Sequence, residues 1–158
     1  MCMKKETLRL YRRFRETGYR ADESIRGAKI VAKFDELEMD GLVRLQTQAE
    51  RENYFDVYGK PGGYVDGYGR RVSAKQEYEE LAAEIDRHGC YHVYSEFFDG
   101  TEWQFVDSLG MRVCNDPTSP FENCCVSDLM QAAIVSLQAF WEAEQPGEYD
   151  FAELEESI

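Results

Sequence analysis

Asp99-Gly100 stands between two runs in which apolar and polar residues alternate, CYHVYSEFF (90–98) and TEWQFVDSL (101–109). An Asp-Gly pair flanked in this way is the strongest short-range signal for a β-hairpin. It constrains this chain more than any other feature, because it fixes an antiparallel pair and a register at once. A two-residue turn at Asp99-Gly100 places Phe98 opposite Thr101, Glu96 opposite Trp103, Tyr94 opposite Phe105, His92 opposite Asp107 and Cys90 opposite Leu109. Period-two alternation then gathers Cys90, His92, Glu96, Trp103 and Asp107 on one face.

Helical patterns surround this hairpin. Residues 4–17 form a first helix with Leu8, Leu10, Tyr11 and Phe14 on its apolar side, and Gly18 falls where a C-cap belongs. A second helix, capped by Asp22 or Ser24, runs to about Asp40. Ile25, Ala28, Val31, Phe34 and Leu37 make its stripe, and Gly41 ends it. Leu42 begins an alternating strand, and YFDVYG (54–59) reads as a further short one. Residues 73–89 are the clearest helix. Ser73 and Gln76 have the spacing of a capping box, Tyr78, Leu81, Ala82 and Ile85 share a face, and Gly89 closes the end. Residues 127–147 form another long helix, with Ser127 at the N-cap and an apolar band of Met130, Ala133, Ile134, Leu137, Phe140 and Trp141. Pro146-Gly147 stops it.

This order defines an α+β chain with an N-terminal helical hairpin, an antiparallel sheet containing the aromatic hairpin, and two long helices packed on it. Residues 1–146 make a single domain, and 147–158 form an acidic C-terminal tail. A length of 158 residues with 43% hydrophobic and 13% aromatic content is enough to bury a core without disulfides. The segment 60–71, KPGGYVDGYGRR, reads as a long irregular loop. It has neither Gly-Lys-Ser/Thr nor a strand-flanked GxGxxG, so it is no phosphate loop. Tyr58, Tyr64 and Tyr68 at its margins suit protein contact, because a tyrosine offers large area at low entropy cost.

Charge divides the chain. Residues 1–33 carry ten Lys/Arg against four acids, a net +6, whereas 34–158 carry eight against twenty-seven, a net −19. The total of −13 repels nucleic acid and membranes and favours a basic partner. No run approaches the roughly 18 apolar residues of a membrane span, and the N-terminus lacks the apolar block of a signal peptide. The expected location is the cytoplasm, where Cys2, Cys90, Cys114, Cys124 and Cys125 stay reduced. The basic helical hairpin also resembles a helix-turn-helix, so a DNA-binding regulator is the alternative reading.

The hairpin face carries a nucleophile, a base and a carboxylate. Cys90 and His92 lie roughly 6.5–7 Å apart along one strand, which is loose for a Cys-His-Asp relay. Cys90 also follows a helix C-terminus, whose field raises rather than lowers a thiol pKa. His92–Asp107 reads better as a structural cross-strand pair. Cys90, His92, Cys114, Cys124 and Cys125 lack the CxxC or HxxxH spacing of a zinc site. No GxSxG, HExxH or kinase signature is present. The expectation is therefore a non-enzyme without cofactor, a Cys/His thiol or zinc enzyme being the remaining alternative.

The segments YFDVYGKPGGY, YSEFFDGTEWQFVDSLGM and SPFENCCVSDLM resemble small proteins encoded by phages and mobile elements, among which are anti-CRISPR inhibitors of host defence. The resemblance spans most of the chain, brings no catalytic motif and transfers no site residues. It implies a protein-binding inhibitor whose partner is a host defence protein such as a CRISPR effector. Carboxylates would take the place of phosphates in the effector's basic groove. Glu77, Glu80, Glu84, Glu142, Glu144, Glu148 and Asp150 are the candidate acids, with Tyr58, Tyr64 and Tyr68 as anchors. Homodimerisation through the aromatic hairpin stays open.

Overall fold

The computed structural model describes residues 4–49, 55, 59–123 and 125–144. The chain begins with two antiparallel helices, α1 (Lys5–Glu16) and α2 (Ala21–Met39). Both end in the same way. Gly18 at φ +98° lets the amides of Gly18 and Tyr19 donate to the carbonyls of Arg15 and Phe14. Gly41 at φ +76° repeats the pattern, with Gly41 and Leu42 donating to Glu38 and Leu37. Glycine holds these left-handed positions without steric cost, and the two bonds satisfy carbonyls that the helix end would orphan.

The start of α2 differs from the sequence expectation. Neither Asp22 nor Ser24 caps it. Arg20 holds the N-cap position, and its guanidinium pairs with Glu23 (2.6 Å) and Asp22 (3.4 Å) in the first turn. Ser24 is fully buried inside the helix and its hydroxyl donates to the Tyr19 carbonyl at 3.4 Å. Burial on α2 is broader than one stripe: Ala28, Ile30, Val31, Phe34 and Leu37 are all buried, while Ile25 is exposed.

Strand β1 (Val43–Ala49) follows, then a two-stranded ribbon of β2 (Tyr64–Val65) and β3 (Arg71–Val72), then helix α3 (Ala74–His88). The ribbon replaces the irregular loop expected at 60–71. Asp66 makes it, because its carboxylate accepts from the amides of Tyr68 (2.9 Å) and Arg70 (2.8 Å) and tightens the connection. The strand expected at 54–59 lies outside the described residues, apart from Phe55, which is helical, and Gly59. The cap of α3 is half of a capping box. The Ser73 hydroxyl accepts from the Gln76 amide at 3.1 Å, but the Gln76 side chain donates to Glu80 instead of reaching back.

The last elements are β4 (Cys90–Phe98), β5 (Trp103–Val113) and α4 (Val126–Glu144). The main sheet is antiparallel in the order β1-β4-β5. Its hairpin register is not the one the Asp-Gly signal implies. Phe98 pairs with Trp103, leaving a four-residue loop, Asp99 to Glu102. The Asp99 carboxylate accepts from the amides of Thr101 (2.7 Å) and Glu102 (2.8 Å) and from the Gln104 side chain (2.8 Å), so the turn is built around a side chain. Two further shifts each insert one residue into β5, between the pairs Tyr91–Arg112 and Val93–Leu109 and between Ser95–Asp107 and Glu96–Phe105. Asp107 therefore opposes Ser95, and His92 faces Gln48 of β1. The expected His92–Asp107 and Cys90–Leu109 pairings do not form.

Helix α4 lies across β1, β4 and β5, α2 packs against α4 and β1, and α1 packs on α2. The core joins Phe34, Leu37, Val43, Ile134 and Leu137 at the meeting of these layers. Helix α3 meets the sheet mainly at β5, and Ile85 is its one fully buried residue.

The α1–α2 contact closes on a glycine. A Cβ at Gly27 would stand 2.9 Å from Cζ of Phe14, whose ring is already held by Tyr19 (centroids 5.3 Å) and Phe121 (4.5 Å). Gly27→Ala gains about 1 kcal/mol of helix propensity but overpacks at a cost of about 1–3 kcal/mol. We expect a net loss in urea unfolding, restored in part by adding Phe14→Leu; a gain from Gly27→Ala alone would mean the ring yields freely.

Candidate protein-binding surfaces

Three exposed faces carry the chemistry of this chain. The first is the acidic side of α3. Glu77, Glu80 and Glu84 recur at intervals of three and four and so share one face. They differ in availability. The Glu77 carboxylate accepts from the Gly63 amide at 2.8 Å and fastens the β2–β3 ribbon to the helix. Glu80 accepts from Gln76, and Glu79 lies 4.0 Å from Lys75 in an exposed i,i+4 pair. Glu84 is exposed and enters no hydrogen bond or ion pair with the described residues.

The other expected acids are scattered. Glu142 accepts from Gln138 at 3.2 Å on α4, and Glu144 closes that helix. Glu148, Asp150 and Tyr58 lie outside the described residues. Tyr64 is exposed on β2, and Tyr68 is 92% exposed at the ribbon tip. Lys60 approaches the face of Tyr78, whose ring lies 4.5 Å from Phe55.

The second face is the open side of the main sheet, which sequence reasoning did not assemble. Val93 and Ser95 point inward and are fully buried, and Phe97 stacks on Phe140 of α4 at 5.7 Å. Alternation sends Tyr94, Glu96 and Phe98 to the opposite face. There Arg44 of β1 binds Glu96 at 2.7 Å and lays its guanidinium 4.0 Å from the centre of the Trp103 ring. Phe98 lies against Trp103 at 5.3 Å, and Phe105 lies 6.3 Å from Tyr94 with 63% of its surface exposed. Ion pair, cation–π contact and aromatic cluster thus form one patch drawn from three strands. The alternation on each strand was readable, but the assembly depends on which residues face each other.

The third face is the outer side of α1. Lys5, Leu8, Arg9, Arg12, Arg13 and Glu16 line a shallow trough of about 460 Å³. Helix α2 buries one side against α1, α4 and β1, and its other side keeps Arg26 exposed, where the guanidinium donates to Gln131 at 2.8 Å.

Cys90, His92 and Asp107, the set the thiol-enzyme alternative would need on the hairpin, are not brought together. Cys90 is 1% exposed, and Asp107 is displaced by the β5 bulge. The Cys114 thiol is pushed up by partial burial and by the charges of Glu122 and Asp116, which disfavours the nucleophilic thiolate. His88 pairs with Asn115 at 2.6 Å rather than with a thiol. Among the described residues, no three His, Cys, Asp or Glu side chains converge as metal ligands. Among the described residues, no helix is long and apolar enough to cross a membrane. With protein-family models, curated proteins and solved structures alike, comparison of the chain finds no match.

Asp35, on α2 beside α1, has its carboxyl pushed up by partial burial and by the charges of Glu38 and Glu6, opposed by Arg9. Its folded pKa exceeds its unfolded one, so its favourable contribution exists below the unfolded carboxylate range and is lost as pH rises through the folded value. Asp35→Asn should therefore raise Tm at pH 7 relative to the parent and give no such gain at pH 3; an equal gain at both pH values would refute the electrostatic cause.

Proposed function

We propose that this protein is a non-enzymatic inhibitor that binds a basic, nucleic-acid-binding groove of a host defence nucleoprotein in the cytoplasm, in the manner of anti-CRISPR proteins. The observation that carries the reading is the carboxylate row of α3, half-buried at Glu77 and exposed at Glu80 and Glu84, in a chain of net charge −13. Glu77, Glu80 and Glu84 span about 10.5 Å of helix axis, a mean interval of about 5 Å. A DNA strand carries one charge per ~3.4 Å, so this row alone is sparser than a strand and needs neighbours such as Glu79. Charge of this kind speeds encounter and selects the partner. Affinity then needs an anchor, and the open patch of Trp103, Phe105, Tyr94 and Arg44 has the residue types that dominate binding hot spots.

The availability of each acid dictates the test. Reversing Glu77 would also release the β2–β3 ribbon, so the informative variant is Glu80→Lys with Glu84→Lys. In a pull-down against purified CRISPR effectors carrying guide RNA, the parent should retain an effector and target DNA should compete. The double variant should weaken retention at least tenfold, and Phe105→Ala should shorten the lifetime of the complex. Retention by no effector would end the anti-CRISPR reading, and retention indifferent to both charge reversals would remove α3 from the interface.

A second reading rests on the α1 trough. If α1 contacts DNA, neutralising Arg9, Arg12 and Arg13 should abolish a gel shift whose affinity falls steeply with salt. Absence of any shift at low salt dismisses it.

A further inference from the structure

We propose that the basic outer face of α1 takes the acidic row of α3 from a second copy of this chain, so that copies associate head to tail. The α1 face is an unpaired site. Lys5, Arg9 and Arg12 are exposed and form no ion pair with any described residue. Leu8, half-buried among them, floors the trough of about 460 Å³ that they line. Arg13 is already engaged, with its guanidinium 4.0 Å from the centre of the Phe121 ring.

The two helices carry complementary stripes at the same spacing. Lys5, Leu8, Arg9 and Arg12 stand at i, i+3, i+4 and i+7, which is one helix face. Taken in reverse, Glu84, Leu81, Glu80 and Glu77 repeat those intervals on α3. Laid antiparallel, the helices set Lys5 opposite Glu84, Leu8 opposite Leu81, Arg9 opposite Glu80 and Arg12 opposite Glu77, over about 10.5 Å of axis on each. Three pairs join opposite charges and the fourth sets leucine on leucine. Glu16 then falls opposite Ser73, so no like charges meet at the end of the stripe. Glu77 gives its Oε2 to the Gly63 amide, which leaves Oε1 for Arg12. The acids at the end of α2 offer no such match. Glu36 lies 3.6 Å from Lys33, and Glu38 stands two residues from both Glu36 and Asp40, on the far side of the helix.

The fold keeps the two faces apart within one copy, since α1 packs on α2 whereas α3 meets the sheet mainly at β5. The contact is therefore made between copies, and it joins two different surfaces rather than one surface to itself. Net charge selects the approach. Two copies of charge −13 repel wherever acid meets acid, but the first 33 residues hold a net +6. Leading with α1 is the orientation that attracts.

Self-association of this kind covers Glu80 and Glu84, and so sets how much of the α3 row is open to any other partner. It needs no effector and stands or falls separately from the inhibitor reading. The test is sedimentation equilibrium of the full chain alone. At low salt the weight-average mass should rise from the 18.3 kDa monomer towards twice that or more as the protein approaches about 1 mM, the weak end of specific binding. About 0.5 M salt, where the Debye length is about 4 Å, should return it to the monomer. Arg9→Glu with Arg12→Glu, and separately Glu80→Lys with Glu84→Lys, should each weaken association on the order of tenfold or more, because each reversal sets like charges opposite. The two variants shift net charge in opposite directions, so a loss in both is not an effect of net charge. Mixed in equal amounts they offer each other opposite charges at both faces and should regain the parent's association, which also shows that both are folded. A monomer at every concentration, association indifferent to either variant, or variants that fail to complement each other would overturn the proposal. The α1 variant keeps the acidic α3 row, so its effector retention should match the parent's whatever the sedimentation result.

Discussion

The fold depends on the apolar band of α4 laid across three strands. Val126, Leu129, Met130, Ala133, Ile134 and Leu137 are buried along this helix. A three-stranded sheet with one apolar face is unstable without a cover. Once α4 supplies it, the inner residues Val43, Val93 and Ser95 are excluded from water, and α2 can complete the layer against α4 and β1. The five larger of the side chains buried along α4, all but Ala133, at roughly 1.5–3 kcal/mol each supply the main driving force, offset by chain entropy of similar size. The opposite side of the sheet leaves Phe105 63% exposed, and there Trp103 packs laterally against Arg44 and Phe98 while Phe105 lies against Tyr94.

Charge is separated along the same architecture. The basic residues of the first 33 positions fall on α1 and the exposed side of α2, whereas α3 and the chain after Arg112 are acidic. Folding sets the positive helix on the outermost layer, with α2 between it and α4. That arrangement isolates a positive strip on an otherwise negative molecule.

Helix content was legible because local chemistry decides it. Gly18, Gly41 and Gly89 mark three ends, and Ser73 caps α3 as its sequence implies. Register was not legible. The Asp99-Gly100 pair promised a two-residue turn, but a carboxylate that accepts two amides made a four-residue one and slid the first pair from Phe98–Thr101 to Phe98–Trp103. Bulges in β5 then broke the alternation twice, and no composition signal announces them. The open aromatic patch was invisible for a related reason: it joins Arg44 to residues about 50 positions away, and only the three-strand order brings them together. The acids of α3 were readable as a row, yet their division of labour was not.

That division bears on what an acidic protein can mimic. Of the 31 acids in the chain, several are structural ligands for backbone amides. Asp66 shapes the ribbon, Glu77 anchors it, Asp99 makes the hairpin turn and Glu122 accepts from Asn115. The amides around Asp99 hold its carboxyl below the usual range, a sign that its charge is already spoken for by dipoles of its own loop. Glu96 is likewise committed to Arg44. Such groups add to net charge and long-range steering but cannot turn to meet an arginine of a partner without breaking a fold contact. A phosphate-like surface must therefore be assembled from the acids without such duties, which among the described residues include Glu84 on the solvent side of α3 and Glu38 and Asp40 at the exposed end of α2. Net charge alone counts every acid alike; the hydrogen bonds separate the acids that hold the fold from those left to face solvent.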